Sequence, residues 1–336
     1  MKKAAVIGLV LVLAGAVVFG AGYVLTGGDF SRLNGSVGGL TVNLGGEESH
    51  SGFGGSVSAT PTPEASAGQL GSGYTTQTYA YGADEVSRVV VDEAAANIYV
   101  GPSTDGQVHV TAMENKDYSY DISCREGVLS LRRRSKNSVQ VSVGVTVEVK
   151  LELLLPDGLS LEVNNDCGDV ELSGLSLVKA ELDSDCGNIL LDGVEVEKAL
   201  SVQNDAGEID LRAVSAGTLS VENDCGSVTL QDVTAESVEV ECDLGEIEVA
   251  NVFAANRLCL DNDCGDIQLS GVSAGKSIEL SCSLGSISGW LNGAEEDYRI
   301  RAKVDLGECN LPQSSQGGIA LNVDVDCGSV ALSFAG

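Results

Sequence analysis

The residues of this chain that could do chemistry recur at a nearly fixed spacing. A segment Asn-Asp-Cys-Gly at residues 165–168 returns about every 20 residues as Asp-Cys-Gly or a close variant. Thiols can bind metals or undergo redox reactions, and carboxylates can bind cations or transfer protons. Which chemistry is available depends on the elements that hold these residues, and such a period is typical of stacked structural repeats.

The columns of the repeat predict the fold. Counted from each glycine, the positions seven and five before it, and two and four after it, carry mostly Val, Ile and Leu. This alternation is typical of strands with one buried face, and no helical period appears. We therefore predict an all-β protein, a parallel β-solenoid of about 20-residue coils in which the glycine marks a corner with positive φ or a tight bend.

The position before each glycine accepts only small or apolar side chains. Its occupants are Cys167, Cys186, Ala206, Cys225, Leu244, Cys264, Leu284, Leu306 and Cys327. A site that takes Cys, Ala or Leu predicts a compact filler of the core rather than a metal ligand or a structural disulfide. Cys167 and Cys186 fall in adjacent coils, where the expected spacing would permit a disulfide, so the sequence leaves their pairing open.

Three positions before the glycine, a polar residue occupies what the alternation marks as an inward position. The asparagines of this column are Asn165, Asn204, Asn223 and Asn262. A buried amide is costly unless it is hydrogen-bonded. We expect these side chains to bond to one another along the solenoid axis as an amide ladder.

The position two before the glycine faces outward and is nearly always aspartate. The row consists of Asp166, Asp185, Asp205, Asp224, Asp243, Asp263, Asp305 and Asp326. Stacked about 4.8 Å apart, neighbouring carboxylates repel by about 1 kcal/mol in water. One interpretation is that each carboxylate accepts bonds from nearby backbone in an Asx-type turn, and the other is a row of weak Ca²⁺ sites. No catalytic or cofactor-binding residue is predicted.

The N-terminal region predicts a membrane attachment. Residues 4–25 are apolar and uncharged after two lysines, long enough to span a bilayer with the N-terminus in the cytoplasm. A cleaved signal peptide is the alternative interpretation of residues 1–25. Residues 26–73 are rich in Gly, Ser, Thr and Pro and predict a spacer without a folded core.

The remainder divides into two parts. Residues 74–156 alternate with period two but without a fixed repeat, which predicts an irregular β cap and the first coils. Residues 157–336 contain the repeat and are predicted to form the solenoid. A formal charge of −30 and a pI near 4.1 argue against a nucleic-acid partner.

Two motifs resemble a known family. Leu155-Pro156-Asp157-Gly158 ends a strand, and Leu161-x-Val163-x-Asn165-x-Cys167-Gly168-Asp169-Val170-x-Leu172 follows. Together they resemble the bacterial putative-adhesin family of unknown function, whose turns more often read Ser-Gly-Asp than Asp-Cys-Gly. The likeness covers residues 86–334. It implies a β-solenoid at the cell surface of a membrane-anchored member and supplies no catalytic residues.

Together these features predict a non-enzymatic binding or scaffold module outside a bacterial membrane. Its expected partners are the membrane, through residues 4–25, and a surface protein or glycan, with self-association through an open C-terminal coil. A β-helical carbohydrate-active enzyme is the alternative, with Trp290 near Arg299, Arg301 and Lys303 as its best irregularity. A purely structural envelope or stress-linked protein is the third interpretation.

Overall fold

The computed structural model describes residues 34–37, 40–43, 74–116, 118–135, 149–314 and 316–336. The predicted anchor lies outside these residues. Within the predicted spacer, two short strands, β1 (Asn34–Val37) and β2 (Leu40–Asn43), pair with each other antiparallel. In the described part of the chain, no helix is long and apolar enough to cross a bilayer.

All other strands of the described residues belong to a second unit, which consists of the stretches 70–136 and 148–336. Its first strands are β3 (Thr75–Tyr81), β4 (Arg88–Glu93), β5 (Asn97–Pro102), β6 (Val108–Glu114), β7 (Tyr118–Arg125), β8 (Val128–Ser135) and β9 (Lys150–Leu155). Its last strands are β24 (Tyr298–Leu306), β25 (Ile319–Cys327) and β26 (Val330–Ala335), with a short 3-10 turn at Glu295–Asp297 before them.

Between these ends, long and short strands alternate along the chain. The long strands are β10 (Leu159–Asn165), β12 (Ser176–Ser184), β14 (Glu195–Asn204), β16 (Ser215–Cys225), β18 (Thr234–Leu244), β20 (Phe253–Cys264) and β22 (Ser277–Leu284). The short strands are β11 (Val170–Ser173), β13 (Ile189–Asp192), β15 (Ile209–Arg212), β17 (Val228–Gln231), β19 (Ile247–Ala250), β21 (Ile267–Ala274) and β23 (Ile287–Asn292). One long and one short strand make one coil.

The coils stack into two sheets that enclose the core, which confirms the predicted parallel β-solenoid. In the long-strand sheet the spatial order is β7-β8-β4-β10-β12-β14-β16-β18-β20-β22-β25-β24. In the short-strand sheet it is β3-β6-β9-β5-β11-β13-β15-β17-β19-β21-β23-β26. Neighbouring strands are parallel except for the β7/β8, β3/β6 and β6/β9 pairs of the N-terminal cap.

The spatial order departs from the chain order at both ends. β4 lies between β8 and β10, so the chain makes one coil, returns through the cap, and then resumes on the other side of that coil. At the other end β25 lies between β22 and β24, which makes β24 the edge of the long-strand sheet. The C-terminal edges are therefore β24 in the long-strand sheet and β26 in the short-strand sheet, and self-association through them stays a prediction.

The predicted inward columns form the core. Five positions before the glycine, for example, Val163, Val202 and Val240 are all fully buried. The exceptions lie on the edge coil, where Ala302 is half-buried and Cys309 is exposed, because no further coil covers them. Stacking like side chains on like is how the repeat buries apolar surface without large aromatic residues.

Candidate functional site

The same local geometry recurs in every coil at the corner that joins each long strand to the short strand after it. Its glycine has a positive φ, from 123° at Gly168 to 158° at Gly245. A Cβ on Gly226 would overlap the carbonyl oxygen of Gly207 in the preceding coil. The Gly226 N–H donates to the Leu244 carbonyl oxygen of the following coil at 2.8 Å. The corners therefore stack backbone on backbone, and only glycine fits this approach.

The inward asparagine column is buried, as predicted, but its hydrogen bonds differ from the prediction. Asn223 Nδ2 donates to the carbonyl oxygens of Gly226 at 2.8 Å and Gly207 at 3.1 Å. These carbonyls take no backbone donor, so the amides bond to them instead of to one another. The expected amide ladder is wrong. The Oδ1 atoms of Asn165, Asn204, Asn223 and Asn262 are buried without a partner.

Two coils place cysteine in this inward column. Cys242 and Cys282 are buried, and their sulfurs lie 3.4 Å from the carbonyl oxygens of Gly226 and Gly265. Burial, the largest cause, raises the thiol pKa of both residues to about 11. These thiols are weak donors that replace the amide, and their high pKa keeps them protonated and unreactive at neutral pH.

The inward column ends at the N-terminal cap in a buried ion pair that the sequence did not reveal. Glu93 aligns with Asn165 on the neighbouring strand, and its side chain is fully buried. Arg133 Nη1 lies 3.0 Å from Glu93 Oε1, and the hydroxyls of Tyr118 and Tyr120 donate to the same carboxylate. Burial and then the charge of Glu93 raise the pKa of both tyrosines. A buried charge is thereby paired and hydrogen-bonded.

A faint copy of the repeat marks this position in the sequence. Residues 91–98 read Val-Asp-Glu-Ala-Ala-Ala-Asn-Ile, with Glu93 in the asparagine position and Ala96 in the glycine position. Asn97 Oδ1 accepts the Asp169 N–H of the next coil at 3.1 Å. Comparison with the repeat could have identified this coil, but it does not identify Arg133 as the partner that neutralises the Glu93 carboxylate.

The eight predicted aspartates all lie exposed on one edge of the solenoid, which we call the acidic ladder. Asp263 accepts a bond from Ser283, and Lys303 lies 3.1 Å from Asp305. In the described part of the chain the carboxylates of the other six have no hydrogen-bonded or ion-paired partner: Asp166, Asp185, Asp205, Asp224, Asp243 and Asp326. Their repulsion is therefore not offset by nearby backbone, and the Asx-turn interpretation is wrong for this column.

The position after the glycine makes the side chain–backbone bonds instead. Asp169 Oδ1 accepts the Asn188 N–H of the next coil at 2.9 Å, and Asn188 Oδ1 accepts the Glu208 N–H at 2.9 Å. Asp266 does the same for Ser286 at 2.8 Å. This second polar column stitches successive coils together, whereas the acidic ladder remains free to meet solvent or a ligand.

The pKa values of the ladder report its crowding. Partial burial raises the pKa of Asp243, and the charges of Asp224 and Asp263 raise it further. The pKa of Asp224 is raised by the same causes, namely partial burial and then the charges of Asp205 and Glu222. Loss of negative charge from this edge therefore relieves repulsion between neighbouring carboxylates.

The cysteine column is exposed, which contradicts its predicted role as core filler. Cys167, Cys186, Cys225, Cys264 and Cys327 are free and exposed. Leu244, Leu284 and Leu306 in the same column are 44%, 57% and 69% exposed. The reason is that the alternation of the strand breaks one residue before the glycine, so two consecutive side chains, Asp and Cys, both point outward at the corner.

This column forms a continuous ridge along the solenoid edge. In spatial order the ridge consists of Cys167, Cys186, Ala206, Cys225, Leu244, Cys264, Leu284, Cys327 and Leu306. The acidic ladder runs along one side of it, and the second polar column runs along the other. The ridge is thus an exposed and largely apolar strip between two polar columns, which makes it the candidate for an interaction surface.

No preformed metal cage accompanies the ladder. Among the described residues, no group of three or more His, Cys, Asp or Glu side chains converges on a point that could hold a metal ion. The row of Ca²⁺ sites at Asp166 to Asp326 stays a prediction, and it would need water or a partner to complete each coordination shell.

His109 lies 2.9 Å from Asp105, whose pKa falls to about 2, chiefly because it accepts the Gln107 N–H.

The outer face of the long-strand sheet holds a groove of about 580 Å³ near the C-terminal end. Its lining includes Glu241, Arg257, Glu279 and Arg301. Arg257 bridges Glu279 at 2.8 Å. Trp290 does not face this groove, because it lies against Gly271 at the opposite corner on the short-strand sheet. Of the three basic residues named with Trp290, Arg301 and Lys303 line the groove and Trp290 does not, and a sugar-binding role for Trp290 is untested.

Comparisons with known proteins place the fold in context. The family model of Toastrack DUF4097 matches residues 86–316. A putative adhesin from Bacteroides fragilis is 15% identical, with a TM-score of 0.44 over 77% of this chain and 97% of that one. A putative adhesin from Parabacteroides distasonis is 11% identical, with a TM-score of 0.38 over 77% and 97%. A putative lipid binding protein from the same organism is 14% identical, with a TM-score of 0.36 over 78% and 98%. No curated protein matches the sequence.

Proposed function

The chain belongs to the Toastrack DUF4097 family, and from that premise we propose that it is a non-enzymatic binding module. In this proposal residues 4–25 anchor it in a bacterial membrane, the solenoid lies outside, and the ridge with its acidic ladder is the binding surface. The observation that carries the proposal is the exposure of Leu244, Leu284 and Leu306 in one line between two acidic or polar columns.

The chemistry of this surface defines the partner. Exposed leucine and cysteine side chains favour contact with apolar groups, while the flanking aspartates favour Lys and Arg. Contact between two copies of the ridge would bring two rows of aspartates together and is therefore unfavourable. The formal charge of −30 on each chain adds to this repulsion. The partner that fits is a surface protein with an apolar strip bordered by basic side chains.

Direct binding tests this proposal. The full-length chain, held in lipid nanodiscs, is screened against arrays of extracellular proteins and of glycans. We expect basic proteins among the ligands, with binding that weakens as salt is raised. Replacing Leu244 and Leu284 together by Ser is expected to weaken binding about tenfold, the effect of roughly 1.4 kcal/mol.

Phe253→Ser is the matched control for the ridge variant. Phe253 is 45% exposed and lies at the start of β20, whose other end carries the ridge residue Cys264. Its replacement by Ser therefore removes exposed apolar surface outside the ridge. Equal losses for the two variants, or binding to glycans alone, would contradict the assignment of the ridge. Absence of any ligand together with a weakened envelope in a deletion strain would favour the structural interpretation.

The proposed location has its own test. Treatment of intact cells with a protease is expected to digest the solenoid, while a cytoplasmic control protein survives. Protection of the solenoid until the cells are lysed would contradict an extracytoplasmic position, whatever the outcome of the binding screen.

The groove on the long-strand sheet favours a second candidate, a carbohydrate-active enzyme. Partial burial and the charges of Glu222 and Asp261 raise the pKa of Glu241, as a general acid requires. Release of reducing sugar ends from a polysaccharide library, abolished by Glu241→Gln, would establish it. Arg257 neutralises much of the groove, so we place this candidate second.

A further inference from the structure

The ridge brings two cysteines onto adjacent coils at one place in the described part of the chain. Cys167 and Cys186 are neighbours there, and both are exposed and free. Each remaining ridge cysteine has Ala or Leu on its neighbouring coils: Cys225 lies between Ala206 and Leu244, for example. Among the ridge thiols, a reaction that needs two exposed cysteines on adjacent coils is therefore confined to the N-terminal end of the ridge.

Backbone bonds fix the two coils in register on both sides of this pair. Asp185 N–H donates to the Asn165 carbonyl oxygen at 3.1 Å, and Gly168 N–H donates to the Cys186 carbonyl oxygen at 2.8 Å. Neighbouring strands lie about 4.8 Å apart, within the Cα separation of about 4.4–6.8 Å that a disulfide spans. Burial raises the pKa of Cys167, and the adjacent Cys186 thiol raises it further through its charge and a hydrogen bond.

We propose that Cys167 and Cys186 are a redox-active dithiol that closes to a disulfide between adjacent coils. With a small-molecule disulfide as oxidant, the thiolate of one cysteine attacks an oxidant sulfur and releases the first small thiol. The thiolate of the second cysteine then attacks the sulfur of the mixed disulfide and releases the second small thiol. Two protein thiols thus lose two protons and two electrons, and the oxidant gains them.

The disulfide would join two coils that are 19 residues apart in the chain. Cross-linking at this distance restricts the unfolded chain and raises the thermal midpoint by several degrees. It would also replace two thiols at the end of the ridge by one rigid bridge. This inference does not depend on the binding role proposed above.

Peptide mapping tests the closure directly. The full-length chain is titrated with oxidised glutathione, the remaining thiols are capped, and the protein is cut with trypsin. Lys179 separates Cys167 from Cys186, so a disulfide appears as two linked peptides. We expect this linked pair at oxidant concentrations where Cys225 and Cys264 carry only glutathione. The reaction is expected to quicken as pH rises, because the pKa of the Cys167 thiol is raised.

Two variants sharpen the test. Cys186→Ala should leave Cys167 as a stable mixed disulfide and abolish both the linked pair and the rise in thermal midpoint. Cys225→Ala, the matched control from the same ridge, should leave both unchanged. Separate glutathione adducts on Cys167 and Cys186 in the unsubstituted chain, at every oxidant concentration, would overturn the proposal.

Discussion

The inner column of asparagines and the outer column of aspartates are adjacent in sequence, but one is buried and hydrogen-bonded and the other is exposed and repulsive. The Asn223 side chain is buried and bonded to two backbone carbonyls, whereas the carboxylate of Asp224, the next residue, is exposed and has no hydrogen-bonded or ion-paired partner in the described part of the chain. The inner column holds the coils together at every step. The outer column opposes their stacking where its carboxylates are neighbours, and the charges of adjacent aspartates raise the pKa of Asp224 and Asp243.

The difference shows where stability and function are separated in a solenoid. Each added coil adds both the repulsion between stacked carboxylates and the stabilisation from its buried asparagine column and apolar core. The fold is stable because, in each coil, this stabilisation is larger than the repulsion. The ladder and most of the ridge are exposed and lie outside the core, which is compatible with the binding role proposed for them. Substitutions in the two columns should therefore differ in both size and sign.

Breaking the end of the inner column is expected to have the largest effect. Arg133→Met leaves the buried carboxylate of Glu93 without its cation and should lower the free energy of unfolding by about 3–5 kcal/mol. Urea denaturation measures this loss. Arg132→Met is the control, because Arg132 pairs with Asp92 in solvent at 2.9 Å, and its loss should cost about 0.5 kcal/mol or less. Equal losses would mean that the buried pair is not structural.

Breaking the stacked corner comes next. Gly226→Ala combines a φ of 137° with an overlap on the Gly207 carbonyl, and we expect a loss of about 3 kcal/mol. Gly318→Ala introduces the same methyl group into open space and should change the free energy of unfolding by less than about 0.5 kcal/mol. A small effect at Gly226, seen as an unchanged urea midpoint, would show that the coils can separate at the corner without cost.

Removing one amide from the inner column should have an intermediate effect. Asn223→Ala leaves the carbonyl oxygens of Gly207 and Gly226 without a donor, for an expected loss of about 1–3 kcal/mol. Asn223→Cys should cost less, because Cys242 already contacts Gly226 from the same column in the next coil. Thermal unfolding of the two variants, with exposed Gln203→Ala as control, tests this order. The reverse order would show that volume, not hydrogen bonding, sets the column.

The outer column should give the smallest effect and the opposite sign. Asp243→Asn removes repulsion from two neighbours and is expected to stabilise the fold by less than about 1 kcal/mol, with a smaller gain at high salt. Asp157→Asn, exposed but off the ladder, is the control. Destabilisation by Asp243→Asn would indicate that the carboxylate accepts bonds through water or binds a cation. Millimolar Ca²⁺ against chelator, read as a shift in thermal midpoint, separates those two cases.

The pH dependence follows from the same ladder. The pKa values of Asp224 and Asp243 are raised in the folded chain, so the folded state binds more protons than the unfolded state between the ordinary and the raised pKa. This contribution to stability is present below the ordinary carboxyl pKa and is lost as pH rises through the raised value. We expect the thermal midpoint to increase when pH is lowered from neutral into that window, less so in Asp243→Asn. A midpoint that falls would contradict the assignment.

The sequence predicted the parts of the fold that depend on local alternation. The period, the buried columns and the outward aspartates such as Asp224 all follow from side-chain parity along a strand. Parity failed at Cys225, because the strand bends one residue before Gly226, and no property of cysteine or leucine reveals on which side of a bend it lies. The asparagine bonds failed for a related reason: the competing acceptor was a corner carbonyl, which no side-chain pattern displays.

The ends of the solenoid were beyond the reach of a repeat. The Glu93–Arg133 pair joins residues 40 positions apart in strands that the chain visits out of order. Alternation from the buried Leu129 and Leu131 places Arg133 on the inward face of β8, but no sequence pattern identifies Glu93 as its partner. Such pairs become visible only when the three-dimensional order of the strands is known.

That order has a consequence for folding. In the described part of the long-strand sheet, β24 pairs only with β25, which follows it in the chain. A solenoid that folds from its N-terminal end can therefore add coils in chain order only as far as β22. The final coil is completed when β25 inserts between β22 and β24, not by addition of a strand to the end.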